Sequence, residues 1–359
     1  MKASIITMTN TYNYGATLQA YALHKFIQSN GYECDIIDHM SAEKKHRKVK
    51  LFVPTRANLY LLPYKFSLER GYRSFEDFYE KHMNMTCRYP TIESLKAHLP
   101  DSDVFISGSD QVWNHKDPKL DRFLLDFVPD KNCKVSYAAS MGNSDLPEEK
   151  KAKFSKGLER FDAISVREQE VVELLQPLTN KKVNVHCDPA FLLTAEEWRT
   201  IEKPVKGVVP GKYILCYMLH LPVWFNEWAK KLRKETGLPI VFVGLNGYRP
   251  VIYDKYVRNA GPGEFLWLID NAAMVVSSSF HGNVFSLIFG KKLISTPDKN
   301  RPDRIHNLLR MFNENRRELY DSETKWISEN VNGEGVELLA QEERERTREF
   351  FKNVFDNIQ

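Results

Sequence analysis

The sequence predicts an α/β protein of two doubly wound domains, and three observations carry that reading. Short apolar strands alternate with stretches of helical periodicity from residue 3 to residue 312. A Pro/Gly-rich link, Pro204 to Gly211, divides this alternation into two βαβ series. The length, 359 residues, suits two domains of ordinary size.

Residues 3–8 (ASIITM) form a buried first strand. Thr17 to Ser29 has apolar side chains at helical spacing and is closed by Asn30-Gly31, and Cys34 to Asp38 is the next strand. This opening predicts a parallel sheet with a site at the carboxyl ends of its strands. A basic insertion, 41–75, follows. Val104 to Ser107 and Lys134 to Ala139 are strands, 147–160 a charged amphipathic helix, and Ala163 to Val166 a strand with Arg167 at its end. The helix Glu168 to Leu175, the strand Val183 to His186 and the turn Asp188-Pro189 complete a first domain, drawn at 1–203. The second, 204–335, alternates strands Tyr213 to Leu219, Ile240 to Val243, Met274 to Ser277 and Lys292 to Ser295 with helices Val223 to Thr236, Gly263 to Asn271, Gly282 to Phe289 and Arg304 to Phe312. A last helix, within 336–359, carries Glu342 and Arg346 on its outer face and an apolar end at Phe350, Phe351, Val354 and Phe355. Two such domains joined by one linker place the active site in a cleft between them.

Composition excludes several classes. Hydrophobic residues are 42% and charged residues 27%, which rules out collagen-like, disordered and disulfide-scaffold chains. No apolar stretch approaches the roughly 20 residues of a membrane span, and no signal peptide is evident, so a cytoplasmic protein is expected. The five cysteines lack ligand spacing, so buried free thiols are expected and no metal site is indicated. A net charge of +4 is too mild to imply nucleic acid. The excess is local: residues 44–75 hold nine Lys/Arg against one acid, Glu69, interleaved with Phe52, Tyr60, Tyr64, Phe66 and Tyr72. Such a segment suits an anionic membrane surface or a phosphorylated substrate, or is a solvated insertion.

Four stretches could carry chemistry. The first strand-to-helix loop has a single glycine, so it is neither a dinucleotide fingerprint nor a phosphate loop. Asn13 and Tyr14 there can hydrogen-bond sugar hydroxyls while Gly15 admits close backbone approach; equally, Asn13 and Thr17 cap the helix. The run Ser107-Gly108-Ser109-Asp110-Gln111-Val112-Trp113-Asn114 has a carbohydrate palette, with Trp113 to pack a sugar face, Gln111 to hold hydroxyls and Asp110 as a general base. Its alternative is a turn with a core tryptophan. Arg167, after a buried strand, suits bidentate binding of phosphate or carboxylate, against a salt bridge to Glu168 or Asp162. In Met274 to Ser286 a buried strand runs into Ser277-Ser278-Ser279 and a histidine opening the next helix. Ser278, Ser279 and the amides near Gly282 would form an anion cradle, with His281 a general acid beside bound phosphate. Lys291, Lys292, Arg301 and Arg304 could complete the pocket.

Taken in order, NYGATLQAYAL, SGSDQVWN, YAAS, ISVRE, DPAFLL and SSSFHGNVFSLIFGK resemble the polysaccharide pyruvyl transferases over about residues 1–315. The resemblance implies two Rossmann-like doubly wound domains facing a cleft in a GT-B-like arrangement, with the last helix returning to the first domain. It implies transfer of pyruvate from phosphoenolpyruvate to two hydroxyls of one sugar, giving a cyclic ketal in bacterial surface glycan biosynthesis. No cofactor is implied. The family's essential histidine corresponds to His281 and its strand-end arginine to Arg167. The first domain would be the acceptor side, for a sugar, an oligosaccharide or a lipid-linked glycan at the inner face of the plasma membrane, and the second the donor side. One departure stands out: members often carry an arginine two residues before this histidine, where this chain has Ser279. Two other readings compete, a nucleotide-sugar glycosyltransferase of similar shape and a glycan-binding subunit without catalysis.

Overall fold

The computed structural model describes residues 1–9, 12–39, 62–142, 145–244, 252–298, 303–322, 325–326 and 329–358. The chain divides into two units, Met1–Leu59 with Asp77–Leu192 and Gln341–Gln359, and Tyr60–Glu76 with Leu193–Ala340. The boundary thus falls at Leu192/Leu193, earlier than the Pro/Gly link suggests.

The first unit holds strands β1 (Lys2–Ile6), β2 (Glu33–Asp38), β3 (Met85–Arg88), β4 (Val104–Ser107) and β5 (Cys133–Ser136) in the order β3-β2-β1-β4-β5. All pairings are parallel. Strands β6 (Ile164–Val166) and β7 (Val183–Val185) pair with each other, and bridges Val135–Ala163 and Ala139–Val166 carry the sheet on from β5. The central strands are apolar on both faces because helices cover both: β4, VFIS, is wholly buried. Helix α1 (Tyr14–Ser29) starts on Asn13, whose side chain accepts from the Ala16 amide at 3.2 Å. It ends at Asn30, ahead of Gly31 at φ 89°, a conformation glycine adopts without strain.

Helix α2 (Leu62–His82) covers the part of the basic insertion that the structure describes, so 62–75 is ordered helix. Its Arg70 reaches Glu264 at 3.1 Å and Arg73 reaches Glu69 at 3.1 Å. Lys44, Lys45, Arg47, Lys48, Lys50, Arg56, Phe52 and Tyr60 lie outside the described residues. Residues 62–76 of α2 belong to the second unit and 77–82 to the first, whose other helices are α3 (Ile92–Ala97), α4 (Leu120–Phe123), α5 (Glu148–Leu158) and α6 (Gln169–Leu175).

The second unit repeats the plan. Strands β8 (Ile214–Tyr217), β9 (Ile240–Gly244), β10 (Lys255–Arg258), β11 (Met274–Ser277) and β12 (Leu293–Ser295) form a parallel sheet in the order β10-β9-β8-β11-β12. Its helices are α7 (Ala195–Arg199), α8 (Phe225–Thr236), α9 (Pro262–Asp270), α10 (Phe280–Ile288) and α11 (Asp303–Met311). The closing helix α12 (Gly333–Asp356) begins in this unit, and its later residues belong to the first. There Tyr137 Oη and Thr347 Oγ1 are 2.9 Å apart, Arg344 donates to the Phe191 carbonyl at 3.1 Å, and Phe355 stacks on Tyr32 at 3.7 Å. Among the described residues no helix is long and apolar enough to cross a membrane. Of the cysteines, Cys34, Cys187 and Cys216 are buried free thiols as expected, whereas Cys87 is exposed and Cys133 half-buried.

A carboxyl pair lies at the amino edge of the second sheet. Arg199 forks onto Asp270 at 2.9 and 3.1 Å, and the Lys291 ammonium donates to the Asp270 carbonyl at 2.5 Å. Beside them, burial and the Asp270 charge push the Glu202 carboxyl up to about 7 from 4.5. Between those values the folded chain holds a proton that the unfolded chain has lost, so stability falls as pH rises through this window and levels above it. Melting curves from pH 4.5 to 8 should show that slope in the wild type and a shallower one in Glu202→Gln; equal slopes would exclude Glu202 as its source.

Candidate functional site

Each sheet reverses its strand order once, between β1 and β4 in the first unit and between β8 and β11 in the second. In open α/β sheets the loops leaving neighbouring strands at such a point diverge to opposite faces, which makes the carboxyl edge there the usual ligand position.

In the first unit, Gly108 allows the closest approach at this point: a Cβ on it would lie 3.0 Å from the Thr7 side chain and 3.1 Å from Ile5. Asp110, half-buried, follows at φ 71°, ψ −170°, a region that is nearly glycine-only and costs about 1–3 kcal/mol. Ala138, at the end of β5, has φ 47°, and Tyr12 has φ 48°. Strain therefore gathers along one edge.

A hydrogen-bond network runs across that edge. Gln19 Nε2 donates to Thr7 Oγ1 at 3.0 Å, and Thr7 Oγ1 to the Ser109 carbonyl at 2.8 Å. The Ser140 amide donates to the Asp110 carbonyl at 2.9 Å, and the Ser140 hydroxyl to Glu168 Oε1 at 2.7 Å. Arg167 Nε donates to that same oxygen at 3.0 Å, while its Nη1 meets Asp188 Oδ2 at 2.8 Å. Of the two salt bridges weighed from sequence, the one to Glu168 is present, and Asp162 instead accepts from the Lys134 amide at 2.9 Å.

These contacts change what Arg167 does. Its side chain is 3% exposed, wedged between carboxylates. Burial alone would lower its pKa, yet Glu168, Asp188 and Asp110 together raise it above the ordinary arginine value. A guanidinium whose charge is already met by carboxylates is not a free clamp for an anionic donor; it holds Glu168 and Asp188 in place.

The proposed acceptor residues separate. Asn13 is exposed at the helix cap, and Gln111 is half-buried against Gly142, whose Cβ would fall 2.5 Å from Gln111 Oε1. Gly15 is buried in the first turn of α1. Tyr14 is fully buried. Trp113 is a core residue: the short turn Gln111–Trp113 directs it inward, its Nε1 donates to the Phe123 carbonyl at 3.2 Å, and it packs edge-on against Phe154 and Phe161.

In the second unit, helix α10 springs directly from the end of β11. Gly282 is required there, since a Cβ would lie 2.1 Å from Ser277 Oγ. The serine hydroxyls prove structural. Ser277 Oγ donates to the Tyr217 carbonyl at 2.9 Å, and Ser279 caps the helix by accepting from the Gly282 amide at 3.4 Å. Ser278 Oγ accepts from the Leu219 amide at 2.8 Å and the His220 amide at 3.3 Å, tying down the loop after β8. Ser278 and Ser279 are therefore not an anion cradle built of hydroxyls.

His281 lies in the first turn of α10 and is 8% exposed. Its ring meets Phe280 edge-on at 5.1 Å, and the Arg304 guanidinium stands 5.8 Å from the centroid of the Phe280 ring. His281 and Arg304 thus both border the Phe280 ring at the carboxyl edge. Lys292 does not: α10 carries the chain back to the amino edge, where Lys292 precedes β12 and its carbonyl accepts from the Val275 amide at 2.8 Å. Arg301 lies outside the described residues. Sequence reading gave no role to Thr7, Gln19 or Ser140, although the motifs NYGATLQAYAL and YAAS contain the latter two, and did not see Glu168 and Asp188 as one constellation around Arg167; the motifs ISVRE and DPAFLL contain both acids, but nothing in their spacing joins them.

The family model described as polysaccharide pyruvyl transferase matches residues 13–297. No curated protein matches the chain in sequence. Among solved structures, UDP-N-acetylglucosamine 2-epimerase from Rickettsia bellii is similar at 10% identity and a TM-score of 0.52, covering 99% of this chain and 97% of that one. An α-glucosyltransferase in complex with UDP and a 13-mer DNA containing an HMU base is similar at 13% identity and a TM-score of 0.50, covering 100% and 99%. At such identities the likeness is one of fold, two Rossmann-like units as in GT-B proteins.

Proposed function

Because the chain belongs to the polysaccharide pyruvyl transferase family, we propose that it moves pyruvate from phosphoenolpyruvate onto two hydroxyls of one sugar, closing a cyclic ketal and releasing phosphate. The observation that carries this reading is the carboxyl edge of the second unit, where His281 sits in the first turn of α10 with Arg304 across the Phe280 ring. A helix N-terminus with an added cation favours a phosphate-bearing donor. A histidine beside that phosphate is suited to protonate the donor's methylene carbon. The oxocarbenium-like centre so formed takes one sugar hydroxyl, which loses its proton; phosphate then leaves and a neighbouring hydroxyl closes the ring, losing the second proton.

The first unit supports the acceptor role. Its edge holds carboxyl groups and amides, with Asp110 as base and Asn13 and Gln111 at the rim. Three carboxyl groups around one guanidinium disfavour a polyanion and favour hydroxyls. The acceptor would be a surface glycan or its lipid-linked precursor, met at the inner face of the plasma membrane.

A thermal-shift titration tests the donor. Phosphoenolpyruvate at about 100 times its Kd should stabilise the protein by about 2.7 kcal/mol. UDP should leave the melting temperature unchanged. Stabilisation by UDP alone would replace this reading with nucleotide-sugar glycosyl transfer.

A further inference from the structure

We propose that Glu168 anchors a hydroxyl of the acceptor sugar through its Oε2 atom, within a subsite shared with Ser109 and Thr9; this rests on the acceptor role of the first unit. The carboxyl group is held from one side only. Oε1 accepts from Arg167 Nε at 3.0 Å and Ser140 Oγ at 2.7 Å. Oε2 is buried, and among the described residues no group donates to it. The residue as a whole is 8% exposed. An oxygen of a buried acid left in this way carries an unmet desolvation cost, and such an atom calls for an explanation.

The same edge repeats the pattern on two independent strands. Ser109 Oγ, beyond β4, and Thr9 Oγ1, beyond β1, are also buried and have no hydrogen-bond partner among the described residues, at 0% and 5% residue exposure. Both follow the point where the strand order reverses, and the network from Thr7 through Ser109, Asp110 and Ser140 links them to Glu168. The chemistry selects the ligand. With Asp110, Glu168 and Asp188 around one guanidinium, an anion is repelled. A carboxylate oxygen accepts only, whereas serine and threonine hydroxyls both donate and accept. A vicinal polyol satisfies that mixture, donating one hydroxyl to Oε2 and exchanging hydrogen bonds with Ser109 and Thr9. Arg167 and Asp188 are positioning residues, since they touch Glu168 or its partner rather than the ligand.

The test measures binding of the methyl glycosides of glucose, galactose, mannose and N-acetylglucosamine by saturation-transfer NMR, with phosphoenolpyruvate thermal shifts in parallel. The wild type should bind at least one glycoside. Glu168→Gln, nearly isosteric, should weaken that glycoside by about tenfold or more, the loss of a hydrogen bond to a charged acceptor, with the phosphoenolpyruvate shift intact. Should Glu168→Gln fail to fold, Ser140→Ala keeps the carboxylate and its arginine yet frees its orientation, and should weaken the same glycoside with the donor shift unchanged. A variant that binds the glycoside as tightly as the wild type overturns the proposal, as does a wild type that binds no glycoside. Glycoside binding lost in Glu168→Gln without any phosphoenolpyruvate shift would instead leave the subsite standing and remove the proposed donor.

Discussion

Replacing His281 with alanine is expected to lower phosphoenolpyruvate-dependent phosphate release by about 10²–10⁴-fold, the usual contribution of a positioned general acid. The fold should survive, because the helix start does not depend on the imidazole. Its capping contacts come from Ser279, its close approach to β11 from Gly282, and its further anchor from Asn283, whose Nδ2 donates to the Ser279 carbonyl at 2.7 Å. His281→Asn preserves polarity without a titratable proton and should be as inactive. Phosphate release followed beside circular-dichroism melting separates chemistry from folding. Turnover at the wild-type rate in either variant would remove His281 from the mechanism.

The largest stability effect is expected at Arg167. Its guanidinium joins Glu168 and Asp188, and all three residues are buried. Truncating one member of a buried ionic cluster leaves uncompensated charge, a loss of about 3–5 kcal/mol. Arg167→Ala should therefore unfold at markedly lower urea. Arg167→Lys keeps the charge but cannot span both carboxylates with a planar fork, so it should fall between. A residue acting as an exposed clamp would behave oppositely, losing ligand affinity at unchanged stability. Urea midpoints for the two variants decide between these roles.

Much of the fold was legible because burial writes itself as unbroken apolar runs in parallel sheets. Val104 to Ser107 and Met274 to Ser277 match their strands residue for residue. Elements at sheet edges carry no such run. Strand β10, KYVR, is half-buried at every position, and β3, MTCR, is half-buried or exposed, so neither shows the pattern of a central strand. Helix α2 was hidden differently: its residues 62–75 follow directly on the lysine- and arginine-rich run and were read with it as an insertion, although Phe75, Phe78 and Tyr79 are core residues. At the site, position was more readable than contact. Arg167 does follow β6 and His281 the turn after β11, but one partner of Arg167, Asp188, lies 21 residues away on another strand's loop. Residue type misled where local geometry sets direction, as when the turn at Gln111–Trp113 turned an indole inward, and where neighbouring backbone claimed a hydroxyl first, as at Ser278 and Ser279.

That claim on Ser278 bears on how the second unit would meet a ligand. One hydroxyl fixes the backbone of the loop after β8 by accepting from two successive amides, Leu219 and His220. Leu219 and Val223 nevertheless stand in solvent, at 61% and 101% exposure. The loop is thus conformationally settled while its apolar side chains are still wet. Ordering a residue of a slack loop costs about 1–2 kcal/mol. Here that term falls on folding, so an arriving ligand faces a rim already in shape. Association should then be governed by encounter and desolvation rather than by loop closure.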